Sequence, residues 1–264
     1  MDLNLFGFPD TPSDEMHCCV YHDERLIGKR WLYHAFLFVP LTREMPFLSD
    51  LRKIREKTGW QGELHFERLN NTRTQNDCAK SWIASYLGGH SNQCRFYFLG
   101  VDQCSLAREL WDRKVRDFKI YNRFFQVGLY SAIKWLFLNP KAGFRKVRIE
   151  KVFSDSKSRS LEDRFHTQPI EDIEFSAEIR NEAISFDSKT VVEVDSDHRK
   201  EVEFPHASHI VQLVDLLAGA MSQMFDNTSK HEGKHLLARS LWAQDLSSGI
   251  MKYDFTSKFY KKIG

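Results

Sequence analysis

Long apolar runs are missing from this sequence: no stretch approaches the roughly 20 consecutive apolar residues of a membrane span, so no membrane partner is expected. The first residues, MDLNLFGFPDTPSDE, lack the basic start and apolar core of a signal peptide, which leads us to expect a soluble, cytoplasmic protein. The five cysteines, Cys18, Cys19, Cys78, Cys94 and Cys104, are odd in number and show no CxxC spacing. That excludes a disulfide framework and a zinc site, and predicts reduced, buried thiols. Also missing are a GxSxG elbow, a P-loop and a GxGxxG fingerprint, which argues against serine hydrolases, nucleotide triphosphatases and dinucleotide enzymes. Internal repeats, low-complexity tracts and domain linkers are absent as well. A formal charge of +2 says nothing of partners; a nucleic-acid function needs local basic stripes.

What is present is the material of one elaborated α/β domain. With 264 residues, 42% of them hydrophobic and 21 of them Phe, the chain can bury a sizeable core. We expect a single domain over 1–264, with an irregular lead-in at 1–15 and a C-terminal helical extension at 226–264. His17 to Glu24 and Lys29 to Val39 read as strands joined in a hairpin, which sets Asp23 at a strand end beside the turn. Helices are predicted over Pro46 to Lys57, Thr74 to Leu87, Ser105 to Leu138 and Leu161 to Gln168, and strands over Gln93 to Val101 and Arg145 to Phe153. Ile173 to Ile179, Ala183 to Phe186 and Thr190 to Val194 read as short strands. Leu236 to Trp242 and Phe255 to Tyr260 read as helical pieces.

The segment Ser208 to Met221, SHIVQLVDLLAGAM, carries an acid where none is expected. Ser208, Gln212, Asp215, Gly219 and Ser222 share one helical stripe, and apolar residues fill the rest of the circumference. A helix apolar almost all round is buried, so Asp215 must meet a cation, donors or a water-filled cleft. A satisfied core acid is the simpler alternative.

Three further acids stand at the ends of regular elements: Asp23, Glu63 in the unit GELHF, and Asp155 past the later strand. Alternation puts Asp155 on the face of Val147, Ile149 and Phe153, with a turn-forming role as its alternative. Several carboxylates converge only if a cation offsets their repulsion, and hard cations such as Mg²⁺ or Mn²⁺ take oxygen ligands. Asp23, Glu63, Asp155 and Asp215 thus have the form of a metal-binding, catalytic set for phosphodiester hydrolysis. Glu24 is an available substitute, as are Asp163 and Asp187 for Asp155. Lys157, Arg159 and the helical stripe Arg113, Arg116 and Arg123 are candidate contacts to a phosphate backbone. The simpler reading of the stripe is a solvated face neutralised by Glu109, Asp112 and Asp117.

Asp23-Glu24 after an apolar strand, Gly62-Glu63-Leu64-His65, Asp155 and Gln212-Leu213-Val214-Asp215-Leu216 together resemble the family catalogued as domain of unknown function 3800 (DUF3800). The likeness runs over about residues 17 to 225, with Arg25-Leu26 standing where that family typically has Ser-Gly. It implies a ribonuclease H-like fold, a mixed central sheet flanked by helices, with Gln212 and His65 beside the acids or the substrate. It also implies a metal-dependent nuclease acting on RNA or DNA. The alternative it allows is an inactive nucleic-acid- or protein-binding module with a protein partner in a mobile-element or phage-defence system.

Overall fold

The computed structural model describes residues 14–27, 30–69, 72–106, 117–140, 142–226, 229–242 and 251–255. Seven strands form one mixed sheet: β1 (Glu15–Ile27), β2 (Trp31–Pro40), β3 (Arg95–Asp102), β4 (Lys146–Asp155), β5 (Ile184–Phe186), β6 (Val191–Val194) and β7 (Met251–Phe255). Their order is β5-β4-β1-β2-β3-β7, with β6 following β5 along the same edge of β4. Strand β2 runs antiparallel to both its neighbours, whereas β1 is parallel to β4 and β3 to β7. Among the described residues, six α-helices accompany the sheet: α1 (Leu41–Thr58), α2 (Arg73–Ser85), α3 (Asp117–Ile133), α4 (Gln168–Ile179), α5 (Pro205–Asp226) and α6 (Glu232–Trp242). This is the mixed α/β architecture, a central sheet flanked by helices, that the sequence predicts.

Alternation along the strands separates two cores. Cys19, Tyr21, Tyr33, Leu37 and Phe98 face α1, α2 and α5, while Cys18, Val20, Phe36, Tyr97 and Leu99 face α3 and α4. Strand β2 is buried from Leu32 to Val39, as a central strand covered on both faces should be. Helix α1 stops at Gly59, whose φ of 71° lets its N–H return to the Glu56 carbonyl.

Several elements depart from expectation. Strand β1 continues to Ile27, which pairs with Trp31, so Asp23 lies within the ladder opposite Ala35 rather than beside the turn. Residues 173–179 are helical: Ile170, Ile173 and Ala177 point inward, and Phe175 and Ile179 are exposed. Those two surface apolar residues counterfeit a period of two, and Pro169 in the first turn starts a helix instead. Residues 161–167 form turns, because the Asp163 carboxylate accepts from the Phe165 N–H at 3.0 Å and competes with helical bonding. The stretch expected as a helical extension supplies α6 and then strand β7, with Phe255 in the strand; the remainder of the Phe255 to Tyr260 piece lies outside the described residues. Four cysteines are buried as expected, but Cys104 is exposed.

Helix α5 is the inner helix of its layer, packed on β1, β2 and β4, on α1, α2 and α6. Its Gly219 lies against Phe66, such that an added Cβ would come within 2.0 Å of the ring. Gly219→Ala is therefore expected to destabilise by about 1 to 3 kcal/mol, the usual cost of overpacking, read as a lower urea midpoint at unchanged m-value.

Candidate metal centre

Helix α5 holds the GELHF loop by its polar stripe. Gln212 Oε1 accepts from the Leu64 N–H at 2.9 Å and from Arg55 Nη2 at 2.8 Å, and its amide nitrogen donates to the Ser196 carbonyl at 2.5 Å. One turn on, Asp215 Oδ2 accepts from the Phe66 N–H at 2.5 Å. Side chains three residues apart on a helix thus serve backbone donors two residues apart in an extended loop, and the absent side chain of Gly219 admits the Phe66 ring. Gln212 is a cross-link within the fold, joining α1, α5 and two loops.

The sheet supplies the other acids. Asp23 points to the α5 side with Cys19 and Tyr21, and it is 6% exposed. Asp155 reaches the same side by way of a β-bulge. Between the pairs Cys18↔Ile149 and Val20↔Val152, β4 advances one residue more than β1. As a result Val147 and Ile149 face α3 and α4, whereas Phe153 stacks on Tyr21 at 5.2 Å on the α5 side and Asp155 follows it. The expected common face of Val147, Ile149 and Asp155 is thus corrected: the extra residue inverts the parity.

Burial, then repulsion from Asp215 and Asp155, holds the Asp23 carboxyl well above the usual carboxylate range, and its carboxyl lies within hydrogen-bonding reach of Asp215. Burial also lifts Asp155 to about 6; a hydrogen bond from Ser196 opposes this, Asp215 and Glu63 add to it, and His65 offsets part. Glu63 accepts from Ser196 Oγ at 2.9 Å and Arg68 Nη1 at 2.6 Å. His65 Nδ1 is 3.6 Å from Asp215 Oδ2. Lys157, whose ammonium is disfavoured by burial and favoured by Asp23, pairs with Glu24. The structure therefore brings together Asp23, Glu63, Asp155 and Asp215 with His65 and Lys157. Ser196, which links Glu63 with Asp155, was invisible in the sequence; it sits in a polar loop with no motif around it.

Other candidates are engaged elsewhere. Glu24 points to the opposite face, where Tyr121 donates to it at 2.8 Å. Arg159 spends its guanidinium on Glu193 at 2.5 Å and Asp163 at 3.2 Å, over the Phe165 ring. Arg123 bonds Gln126 at 2.8 Å beside a cavity of about 420 Å³ between α3 and α4, away from the acids. Arg113 and Arg116 lie outside the described residues. Asp163 and Asp187 are bound to Asn122 and Arg148. The buried rings of His22, His34 and His209 are held neutral by burial, the last two pushed down to about 3. His206 lies 3.5 Å from Glu44.

No family model matches this chain. No curated protein matches it either. Solved structures to which it is similar include "Bst-RNase HIII in complex with Mn2+", at 12% identity, with 89% of this chain and 65% of that chain covered and a TM-score of 0.39. Another is Aquifex aeolicus RNase H3, at 12% identity, 83% and 66% coverage and a TM-score of 0.31. A third is RNase HII of Archaeoglobus fulgidus in a complex with PCNA, at 16% identity, 89% and 90% coverage and a TM-score of 0.33. The chain spans about two thirds of the length of the RNase HIII and H3 structures. Likeness at this level decides nothing about chemistry, which rests on the geometry of the acids.

That geometry suits a hard cation. The four acids offer only carboxylate oxygens; burial first, and then the neighbouring acids, makes Asp23 and Asp155 resist ionisation, and a divalent ion would relieve the repulsive part. Among the described residues, the group whose ligand atoms all lie within 4.8 Å of one another is instead His17, Glu150 and Asp187. Asp187 is there already neutralised by Arg148, at 2.8 Å, on an exposed edge. Of the central acids, Asp215 is bonded to the Phe66 N–H and Glu63 to Ser196 and Arg68.

The raised Asp155 value has a sign that can be checked. Below pH about 4 this carboxyl is protonated in both folded and unfolded chains; from about 4 to 6 the unfolded chain releases its proton first, so stability falls as pH rises. In EDTA, Asp155→Asn should be more stable than wild type at pH 7 by about 3 kcal/mol. The difference should vanish below pH 4 in denaturant titrations.

Proposed function

We propose that this chain is a divalent-metal-dependent nuclease hydrolysing phosphodiester bonds of RNA or DNA, with Asp23, Glu63, Asp155 and Asp215 as the ligands of Mg²⁺ or Mn²⁺. The observation that carries this reading is the approach of the buried Asp23 and Asp215 and the half-buried Asp155 on the α5 side of the sheet, with the Asp23 carboxyl within hydrogen-bonding reach of Asp215. The bound cation would supply an activated water and charge stabilisation for in-line displacement at phosphorus. The chain's own part is to orient and to balance charge. Asp215 is fixed by the Phe66 N–H, and Glu63 by Ser196 and Arg68, so these carboxylates keep their pose without a ligand. His65 Nδ1, 3.6 Å from Asp215, accepts from the Glu67 N–H at 3.2 Å, which leaves Nε2–H of this partly open ring to hold a phosphate oxygen. Lys157 brings an ammonium between Asp23 and Glu24, where it would offset negative charge.

The resemblance of the Asp23-Glu24, GELH and QLVDL segments to DUF3800 supports the same reading, and the lack of a signal-peptide pattern supports a cytoplasmic protein. Among the described residues no helix is long and apolar enough to cross a membrane. A second reading, an inactive module that binds nucleic acid or a protein, is favoured by the engagement of Glu63 with Arg68 and Ser196.

Thermal unfolding in EDTA, Mg²⁺ and Mn²⁺, beside cleavage of labelled single-stranded, duplex and hybrid substrates, separates the two. Metal at 100 times its Kd should stabilise wild type by about 2.7 kcal/mol. Asp215→Asn, whose side-chain oxygen can still accept from Phe66, should fold but lose both that gain and cleavage. Metal-insensitive melting with no cutting would leave the binding module.

A further inference from the structure

Two residues past Asp23 on the same face of β1, Arg25 is 8% exposed, and Lys234 reaches toward it from α6 at 7% exposed. Both cations lie against the Phe66 ring, with Arg25 Cζ 4.8 Å and Lys234 Nζ 5.3 Å from its centroid. Phe66 is the residue whose N–H is bonded to Asp215, so the pair stands one side chain away from the acids. Their shared counter-ion is Glu67, whose carboxylate bonds Arg25 with one oxygen and lies 3.4 Å from Lys234 Nζ with the other. Glu67 is itself 56% exposed in its side chain. Lys234 also donates to the Glu67 carbonyl at 3.0 Å, and the buried Arg25 Nε has no partner.

Two buried cations against one exposed carboxylate leave a net positive charge and an unmet donor, and burying such groups unpaired is costly. An anion with more oxygens than a carboxylate would satisfy them better. Arginine's planar fork and lysine's point charge are also the usual donors to phosphate.

We propose that Arg25 and Lys234 form a phosphate subsite for a nucleic-acid strand, and that Glu67 is a tethered anion which holds the pair until a backbone phosphate displaces it. This rests on the nuclease reading. At about 3.3 Å per residue, Arg25 lies about 6.6 Å along β1 from Asp23. A strand carries a phosphate about every 3.4 Å of helix axis. A phosphate one or two nucleotides from the bond held at the acids therefore reaches Arg25. The carboxylates repel the backbone there, and the cation pair offsets that repulsion.

The test is fluorescence anisotropy with labelled single-stranded oligonucleotides in EDTA, over a salt series, for wild type, Glu67→Gln, Lys234→Gln and the double variant. Glu67→Gln should tighten binding several-fold, and Lys234→Gln should weaken it and lower the salt slope by about one. The gain from Glu67→Gln should disappear in the Lys234→Gln background, because the displaced anion no longer has its partner. Glu67 is exposed, so its variant keeps the test readable even where Lys234→Gln loses stability.

Unchanged affinity and slope in both single variants would overturn the proposal and leave a structural clamp. Stabilisation by inorganic phosphate without strand binding would also overturn it, since the site would then take the free ion. Metal-dependent melting of wild type but not Asp215→Asn is scored separately. If it holds while strand binding ignores both residues, the subsite falls and the metal centre stands. If it fails while binding follows the expected pattern, the subsite stands and the nuclease reading falls.

Discussion

The burial of carboxylates beside one another is the constraint to which the rest of this structure answers. Asp23, Asp155 and Asp215 would not choose one another's company in a low-dielectric interior. They are held there by interactions strong enough to overrule them. One is the parallel ladder between β1 and β4, another the bond from the Phe66 N–H, and a third the apolar burial of nearly every face of α5. Stability is given up locally and recovered in the surrounding core.

Helix α5 illustrates how much one element can organise. Its apolar surface is spread over the sheet and three helices, so its azimuth is fixed, and the polar stripe can face in only one direction. Gln212, Asp215 and Gly219 then dictate the path of residues 62–66 through two backbone bonds and one close packing contact. The loop's conformation is imposed from outside, which is why it carries no regular secondary structure of its own.

Much of this was legible in the residues. Asp215 betrayed itself because a charge interrupts an apolar helical pattern, and the strands that carry Asp23 and Asp155 announced themselves by their aromatic and β-branched residues. The parity of Asp155 was not legible, because a bulge depends on how two strands register, and neither strand records it alone. Nor was Ser196, whose importance comes from the loop that carries it past Glu63. Helix α4 was mistaken because Phe175 and Ile179 are apolar yet exposed, so surface residues wrote a pattern normally written by the core.

The parallel pairing of β1 with β4 also sets a schedule. Antiparallel β1 and β2 can zip as soon as their hairpin exists, but β4 arrives more than a hundred residues of chain later and α5 later still, so the acids meet only through contacts of high sequence separation. During synthesis, Asp23 is made before its partners and waits for them. A growing chain therefore passes through a long period in which its first strands are formed and its centre does not exist, and whatever chemistry the centre performs is withheld until the topology is complete.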